Sequence, residues 1–192
     1  MLVTQEETPM MRQFNAIKRE HPDKLLFYRL GDFYEMFGDD AVNSAKVLQI
    51  ALTSRDKKSK NSVPMCGVPY HAYEQYLNKL PAAGFKVAIC EQMEDAKKAK
   101  GLVKRDVVRV VTPGTVTDLN VLDQKANNYL CAIHYQKRSS TFGFAVVDLS
   151  TGEFSVTELE GESKLWAEIS RTSPRECLFS EVFAIDALFE HI

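Results

Sequence analysis

The sequence lacks any long apolar segment and any compact cysteine motif. No apolar run approaches the ~20 residues that cross a bilayer, and the acidic first residues, MLVTQEETP, contain no apolar signal core. We therefore expect a cytosolic protein with no membrane partner. The four cysteines, Cys66, Cys90, Cys131 and Cys177, are far apart and form no C-x-x-C motif, so we expect reduced, mostly buried thiols.

The common signatures of catalysis are also missing. The chain contains no P-loop, no G-x-S-x-G and no H-E-x-x-H, and its four histidines are scattered. These absences argue against P-loop nucleotide chemistry, a serine-hydrolase elbow and a helical zinc-protease site. We therefore predict no catalytic residue, no bound metal and no cofactor for these 192 residues.

One aspartate keeps an enzymatic alternative open. Asp148 lies in the stretch FAVVDLSTGEF, late in the first strand of a predicted hairpin, where ribonuclease-H-like nucleases present a carboxylate to a metal ion. Such chemistry needs several convergent carboxylates around Mg²⁺ or Mn²⁺, and Glu153 and Glu168 are the possible partners. The structural alternative is that Asp148 begins a polar turn.

Charge is divided unevenly along the chain. The formal net charge is −2, but residues 1–125 carry 19 Lys and Arg against 16 Asp and Glu, a net of +3. Residues 126–192 carry 5 against 10, a net of −5. This asymmetry indicates two units, of which the first tolerates a polyanion better.

Hydrophobic periodicity predicts an α/β fold of the mixed α+β kind. Thr8 as N-cap and Pro9 begin a helix, whose apolar face repeats at Met11, Phe14 and Ile17. Strands are predicted at KLLFYRL, FKVAICEQ and VVRVV, and a lysine-rich loop at SRDKKSKNS. A second helix begins near Asp39, with the apolar stripe Ala41, Ala45 and Leu48. A third helix runs from about His71 to Leu80, with Tyr73, Tyr76, Leu77 and Leu80 on one side.

A change of pattern marks a second domain. Three β-rich runs, YLCAIHYQ, TFGFAVVDLS and GEFSVTEL, precede a helix through ESKLWAEISRT, which is typical of a second α/β unit. We predict a first domain over residues 1–120, a linker over 121–128, and a partial second domain over 129–192 of a longer protein.

The most unusual stretch, residues 25–40, mixes aromatic and acidic side chains in LLFYRLGDFYEMFGDD. In an extended segment, residues two apart face the same way. Tyr34 and Met36 can therefore pack on a core, while Phe33 and Glu35 share the opposite face. Either this second face is a contact surface, or the strand is a half-buried edge with Phe33 beneath a loop.

Several motifs in order resemble the MutS family of DNA mismatch-repair proteins. They are TPMMRQF, LLFYRLGDFYEMFGDDA, IALTSRD, VPMCGVPYHAYEQYLNKL and GFKVAICEQMEDAKKAKGLVKRDVVRVVTPGT. Residues 8–128 resemble the family's mismatch-recognition domain, which implies a mixed sheet flanked by helices. Residues 129–192 resemble the first part of its ribonuclease-H-like connector domain.

The resemblance implies roles for particular residues. The family's Phe-x-Glu signature matches Phe33-Tyr34-Glu35, so Phe33 would insert from the minor groove beside a mispair while Glu35 hydrogen-bonds the displaced base. Arg55 stands where the family offers a basic residue towards the DNA backbone. Leu30 and Met65 either line the groove beside the wedge or belong to the core. The loop lysines Lys57, Lys58 and Lys60 either contact phosphate or are solvated.

Partners and cofactors follow from the same resemblance. It implies binding to double-stranded DNA with mispairs or small loops, a homodimer formed through other domains, and a downstream mismatch-repair factor. ATP and Mg²⁺ would belong to an ATPase domain that these residues do not contain, and the protein would be cytoplasmic and nucleoid-associated. Two other functions stay open: a metal-dependent nuclease using Asp148, and a protein-interaction module whose Phe33 face docks a partner chain.

Overall fold

The computed structural model describes residues 8–55, 62–95, 99, 101–118, 122 and 126–180. The chain divides into two units between Thr112 and Pro113. None of the helices described is long and apolar enough to cross a membrane. The loop lysines Lys57, Lys58 and Lys60 lie outside the described residues.

One mixed sheet forms the centre of the first unit. Its described strands are β1 (Lys24–Leu30), β2 (Phe33–Phe37), β3 (Thr53–Arg55), β4 (Val63–Pro69), β5 (Lys86–Gln92) and β6 (Arg105–Val111). The strand order is β3-β4-β2-β1-β5-β6. Strands β1 and β5 are parallel, and the other neighbouring pairs are antiparallel. The predicted mixed α/β class is therefore confirmed.

Helix α1 (Pro9–Glu20) covers one side of this sheet, which we call the α1 face. The helix begins as predicted, because Thr8 Oγ1 accepts a hydrogen bond from Met11 N at 3.3 Å. Phe14 anchors it in a cluster of buried side chains. The other members of that cluster are Met10, Leu26, Tyr28, Phe37, Ala88 and Cys90.

Helix α2 (Asp39–Leu48) covers the opposite side, the α2 face. Its predicted buried stripe is confirmed at Ala41, Ala45 and Leu48. Asp40 is also buried, and its carboxylate accepts hydrogen bonds from Leu26 N at 3.0 Å and from Lys18 Nζ at 2.8 Å. This one carboxylate therefore ties α1, β1 and α2 together.

The single helix predicted from His71 to Leu80 is wrong. The segment forms a 3-10 turn (Tyr70–Ala72) and two short helices, α3 (Glu74–Leu77) and α4 (Lys79–Ala82). Pro81 has no N–H to donate to the Leu77 carbonyl, so a continuous helix would lose a hydrogen bond there. The predicted apolar side does pack on the α2-face core, with Leu77 and Leu80 buried and Tyr73 and Tyr76 partly buried.

Strands β3 and β4 depart from the sequence prediction. Ser54 and Arg55 were expected in a loop, but they pair with Pro64 and Val63 at the sheet edge. The sequence prediction assigns no element to Val63–Pro69, a segment whose prolines and glycine are unusual in a strand. The structure accommodates Pro64 and Pro69 near the two ends of β4.

The division between the two units comes before residue 120, where the sequence places the end of the first domain. Residues Pro113–Thr115 form a 3-10 turn within the second unit. Gly114 N donates a hydrogen bond to Glu176 Oε2 at 3.0 Å, and Asn128 Nδ2 donates to Pro113 O at 3.1 Å and to Val116 O at 3.0 Å. These contacts attach residues 113–116 to the second unit.

A second mixed sheet forms the centre of the second unit. Its described strands are β7 (Tyr129–Gln136), β8 (Thr141–Asp148), β9 (Glu153–Glu160) and β10 (Glu176–Phe179), in the order β10-β7-β8-β9. Strand β10 is parallel to β7, and the rest is an antiparallel meander. Helix α5 (Glu162–Thr172) places Leu165 in a core with Cys131, Ile133, Phe142, Phe144 and Val146.

Candidate nucleic-acid interface

A tight hairpin presents the residues of interest on the first sheet. Strands β1 and β2 pair so that Leu30 lies opposite Phe33 and Tyr28 lies opposite Glu35. The two-residue turn between them begins with Gly31 at φ +58°, a conformation that favours glycine. Tyr70 N donates a hydrogen bond to the Asp32 carbonyl at 2.8 Å, which fixes the turn against the end of β4.

The two faces of β2 separate as the period of two predicts. Tyr34 and Met36 are buried in the core of the α2 face. On the α1 face, Phe33 is 45% exposed, Glu35 is half-buried, and Phe37 is buried beneath Phe14 with ring centroids 5.0 Å apart. The α1 face of β2 therefore changes from covered to open as it approaches the hairpin turn, and Phe33 stands at the open end.

Glu35 carries hydrogen-bonding capacity that the protein does not use. Its Oε2 atom is buried and has no hydrogen-bond partner in the structure. The Arg55 guanidinium is near, but Nη1 lies 3.9 Å from Oε2, which is beyond a hydrogen bond. Burial raises the pKa of Glu35, and the Arg55 charge offsets only part of that shift. A buried acceptor without a partner is costly, so this carboxyl group is suited to bind an added donor.

The structure brings all five predicted contact residues to the α1 face. Arg55 lies on β3, with its guanidinium carbon 5.7 Å from the Phe37 ring centroid. Leu30, opposite Phe33, and Met65, opposite Phe37, are partly buried against the α1-face cluster. Leu30 can therefore both pack on the core and border Phe33, whereas Met65 lies four residues along the paired strands, beside Phe37.

Sequence reasoning missed Gly67, which lies opposite Glu35 on β4. A Cβ atom at this position would come within 3.2 Å of Tyr34 O and 3.6 Å of Glu35 Cγ. Glycine therefore keeps the surface beside the carboxylate free of any side chain. The signal was present as a glycine inside VPMCGVP, but its meaning depends on strand pairing.

A support on the α2 face was also missed. The Tyr34 hydroxyl donates a hydrogen bond to Glu91 Oε1, and the Arg29 guanidinium carbon lies 3.3 Å from the Tyr70 ring centroid. Arg29 Nε also donates to the Gly31 carbonyl at 2.6 Å. These contacts anchor the hairpin that carries Phe33 to β5 and to the turn after β4.

The structure does not favour a metal site at Asp148. Its carboxylate is buried and accepts hydrogen bonds from Asn128 N at 3.1 Å, Ser150 N at 2.9 Å and Ser150 Oγ at 2.6 Å. Glu153 instead accepts from Tyr129, and Glu168 pairs with Arg171. No group of three or more His, Cys, Asp or Glu side chains that could hold a metal ion occurs in the described part of the chain. Asp148 begins a turn, which is the structural alternative given in the sequence analysis.

Replacing Asp148 with alanine is expected to lower the free energy of unfolding of the second unit by roughly 2–4 kcal/mol, because the buried Asn128 N–H and the partly buried Ser150 N–H lose their acceptor. Burial acts to raise the pKa of Asp148, but hydrogen bonds from Ser150 and Asn128 outweigh it and lower the pKa. This contribution to stability should therefore be present at neutral pH and be lost as the pH falls through the lowered pKa.

Urea unfolding followed by Trp166 fluorescence measures this effect, since Trp166 is the single tryptophan and lies in α5. The exposed neighbour Glu153 provides the control variant Glu153→Gln, which should change stability little. An Asp148→Ala variant as stable as the unsubstituted chain at pH 7 would contradict the structural role.

Comparisons with known proteins match most of the chain to one family. The family description "MutS domain I" matches residues 8–120, and "MutS domain II" matches residues 128–187. Two curated relatives, from Syntrophobacter fumaroxidans and Desulforamulus reducens, are both called DNA mismatch repair protein MutS. The chain is 55% identical to the first over 174 residues and 54% identical to the second over 176 residues. These alignments cover 91% and 90% of the chain.

These matches define the class of protein: the chain contains two consecutive MutS domains, over residues 8–120 and 128–187. The first of them contains the α1 face. The chain belongs to the MutS family. It spans 20% of the length of each of the two relatives.

Proposed function

We propose that the first unit recognises mispaired or unpaired bases in double-stranded DNA, as part of a MutS mismatch-repair protein. The observation that carries the proposal is the exposed Phe33 ring beside Glu35, whose buried oxygen has no hydrogen-bond partner. The match to MutS domain I and the name of the relatives, DNA mismatch repair protein, support it.

Phe33 acts as a wedge that enters from the minor groove beside the mispair. Insertion must unstack a base step, which costs a few kcal/mol and kinks the duplex. An aromatic ring stacked on a base returns about 1–3 kcal/mol. The two free energies nearly cancel at a paired step, but a mispaired base is cheaper to unstack. The wedge thus senses deformability, which lets one residue detect different errors.

Glu35 contacts the base that the wedge displaces. As a carboxylate it accepts a hydrogen bond, for example from a guanine amino group in the minor groove. As a neutral acid it donates one to a base acceptor. Burial already raises its pKa in the free protein, and nearby phosphates would raise it further. On paired DNA, the ionised form repels the backbone.

Arg55, Leu30 and Met65 complete the contact surface. The Arg55 side chain is 38% exposed at the sheet edge, so its guanidinium can reach a phosphate beside the lesion while it stays near Glu35. Leu30 and Met65 are partly buried; Leu30 would border the groove next to Phe33, and Met65 would line it farther along β4. Phosphate contact positions the protein, while Phe33 and Glu35 discriminate.

The rest of the activity belongs to the longer protein of which we propose this chain is a part. One wedge and a modest positive charge do not supply the many phosphate contacts that drive DNA affinity. We propose that a homodimer formed through other domains supplies them, that ATP and Mg²⁺ bind in an ATPase domain, and that a downstream repair factor reads the result. Such a protein would be cytoplasmic and nucleoid-associated.

The wedge is tested by the fluorescence of 2-aminopurine placed next to a single mispair, because this base brightens when it unstacks. We expect the full-length protein to raise the fluorescence of the mispaired duplex and to leave a matched duplex of the same sequence unchanged. Fluorescence anisotropy on the same samples reports binding separately. Saturated binding to the mispaired duplex without brightening would contradict insertion.

A further inference from the structure

Two cysteines that are distant in sequence meet in the second unit. Cys131 on β7 and Cys177 on β10 are paired in register on neighbouring parallel strands. Their sulfur atoms are 3.0 Å apart, and both are free thiols. The separation of 46 residues along the chain concealed this pair in the sequence.

The backbone geometry suits a covalent bond between the two. Neighbouring strands lie roughly 4.8 Å apart, and a disulfide needs Cα atoms about 4.4–6.8 Å apart. Cys131 is buried in the same core as Leu165, and Cys177 is partly buried against that core. The two thiols therefore lie on one side of the sheet and already face each other.

The two cysteines differ in accessibility and acidity. Cys177 is partly exposed, whereas Cys131 is buried. The Cys131 thiol donates its hydrogen bond to Cys177 Sγ, which lowers the pKa of Cys177 and, together with burial, raises the pKa of Cys131. Cys177 is consequently the sulfur that an external reagent meets first, and Cys131 stands behind it.

We propose that Cys131 and Cys177 form a reversible disulfide site that is oxidised by small-molecule disulfides. The Cys177 thiolate attacks one sulfur of the reagent, forms a mixed disulfide and releases one reagent thiolate. Cys131 then loses its proton to solvent, and its sulfur attacks Cys177 Sγ, which expels the second reagent thiolate. Two cysteine thiols are oxidised to one disulfide, and one reagent disulfide is reduced to two thiols. The product joins β7 and β10 covalently.

Cys66 and Cys90 provide an internal control. Both are buried in the first unit, where burial raises the pKa of Cys66 to about 11 and that of Cys90 to about 12. Since the thiolate is the reactive form, Cys177 should react at least ~10-fold faster than either of them.

The 192-residue chain is treated with oxidised glutathione, quenched in acid, alkylated after denaturation and mapped by mass spectrometry. We expect Cys131 and Cys177 to escape alkylation together, with a linked peptide and no retained glutathione, while Cys66 and Cys90 stay alkylated. Dithiothreitol should restore both thiols. Oxidation should also raise the urea midpoint reported by Trp166.

Variants distinguish the order of the two steps. Cys131→Ser should retain glutathione on Cys177, because no second thiol can expel it, and Cys177→Ser should leave Cys131 unmodified. Glutathione that persists on Cys177 of the unsubstituted chain, or the loss of all four thiols at one rate, would overturn the proposal. The peptide map of the unsubstituted chain decides the matter even if a variant does not fold.

Discussion

Replacing Phe33 with alanine is expected to abolish the preference for mispaired over matched DNA. Loss of a base–aromatic stack worth about 1–3 kcal/mol corresponds to a fall of roughly 5-fold to 150-fold in affinity for a mispaired duplex. Affinity for matched duplex should hardly change, because the wedge gains nothing at a paired step. Fluorescence anisotropy with the full-length protein on duplexes that differ by one base measures both affinities.

The Phe33→Ala variant should keep its fold, since the side chain is 45% exposed and leaves no buried cavity. Phe154, 65% exposed on β9 of the second unit, offers a matched control: Phe154→Ala removes the same side chain from another surface. Unchanged discrimination in Phe33→Ala would contradict the wedge and favour the protein-interaction alternative. Equal losses in both variants would indicate a general effect on the protein instead.

The faces of β2 could be predicted because they follow from alternation within five residues. Period two assigned Tyr34 and Met36 to the core and Phe33 and Glu35 to the other face, as the structure has them. The same rule places Phe37 on the same face as Phe33, yet Phe37 is buried because Phe14 of α1 covers it. That difference comes from tertiary packing, which alternation does not contain.

Strand β4 and its consequences could not be predicted by the same reasoning. The sequence prediction assigns no element to Val63–Pro69, and prolines disfavour strand interiors, although the sheet accepts Pro64 and Pro69 near the ends of the strand. Without β4, neither the position of Gly67 beside Glu35 nor the strand that carries Arg55 can be placed. Contacts between distant residues, such as Tyr34 with Glu91 or Cys131 with Cys177, likewise depend on the complete topology.

Replacing Glu35 with glutamine is expected to tighten binding to matched DNA. Discrimination then falls because matched DNA binds better, whereas Phe33→Ala reduces discrimination by weakening binding to mispaired DNA. Glutamine keeps the shape and the hydrogen-bonding capacity but removes the charge that phosphates repel. A charge repulsion of about 1–4 kcal/mol near a protein surface implies a gain of roughly 5-fold to several-hundred-fold in matched-duplex affinity. The exposed Glu74 on α3, which packs on the α2 face, gives the control Glu74→Gln for net charge alone.

The pH dependence separates repulsion by a carboxylate from an effect of shape. Because the folded-state pKa of Glu35 is raised by burial, the folded protein holds the proton more tightly than the unfolded chain. The stability that Glu35 gains from holding this proton is therefore fully present below the pKa of the unfolded chain. It is lost as the pH rises through the raised pKa of the folded protein.

The advantage of Glu35→Gln on matched DNA should follow the same ionisation. It should be largest at pH 8 and should shrink as the pH falls and the native glutamate becomes neutral. If the affinity advantage of Glu35→Gln on matched DNA stayed constant as the pH falls from 8, or if there were no gain at pH 8, the carboxylate would not act by repulsion. An advantage that disappears on acidification would assign the rejection of paired DNA to the ionised form of Glu35 and leave Phe33 as the element that tests whether a base step unstacks.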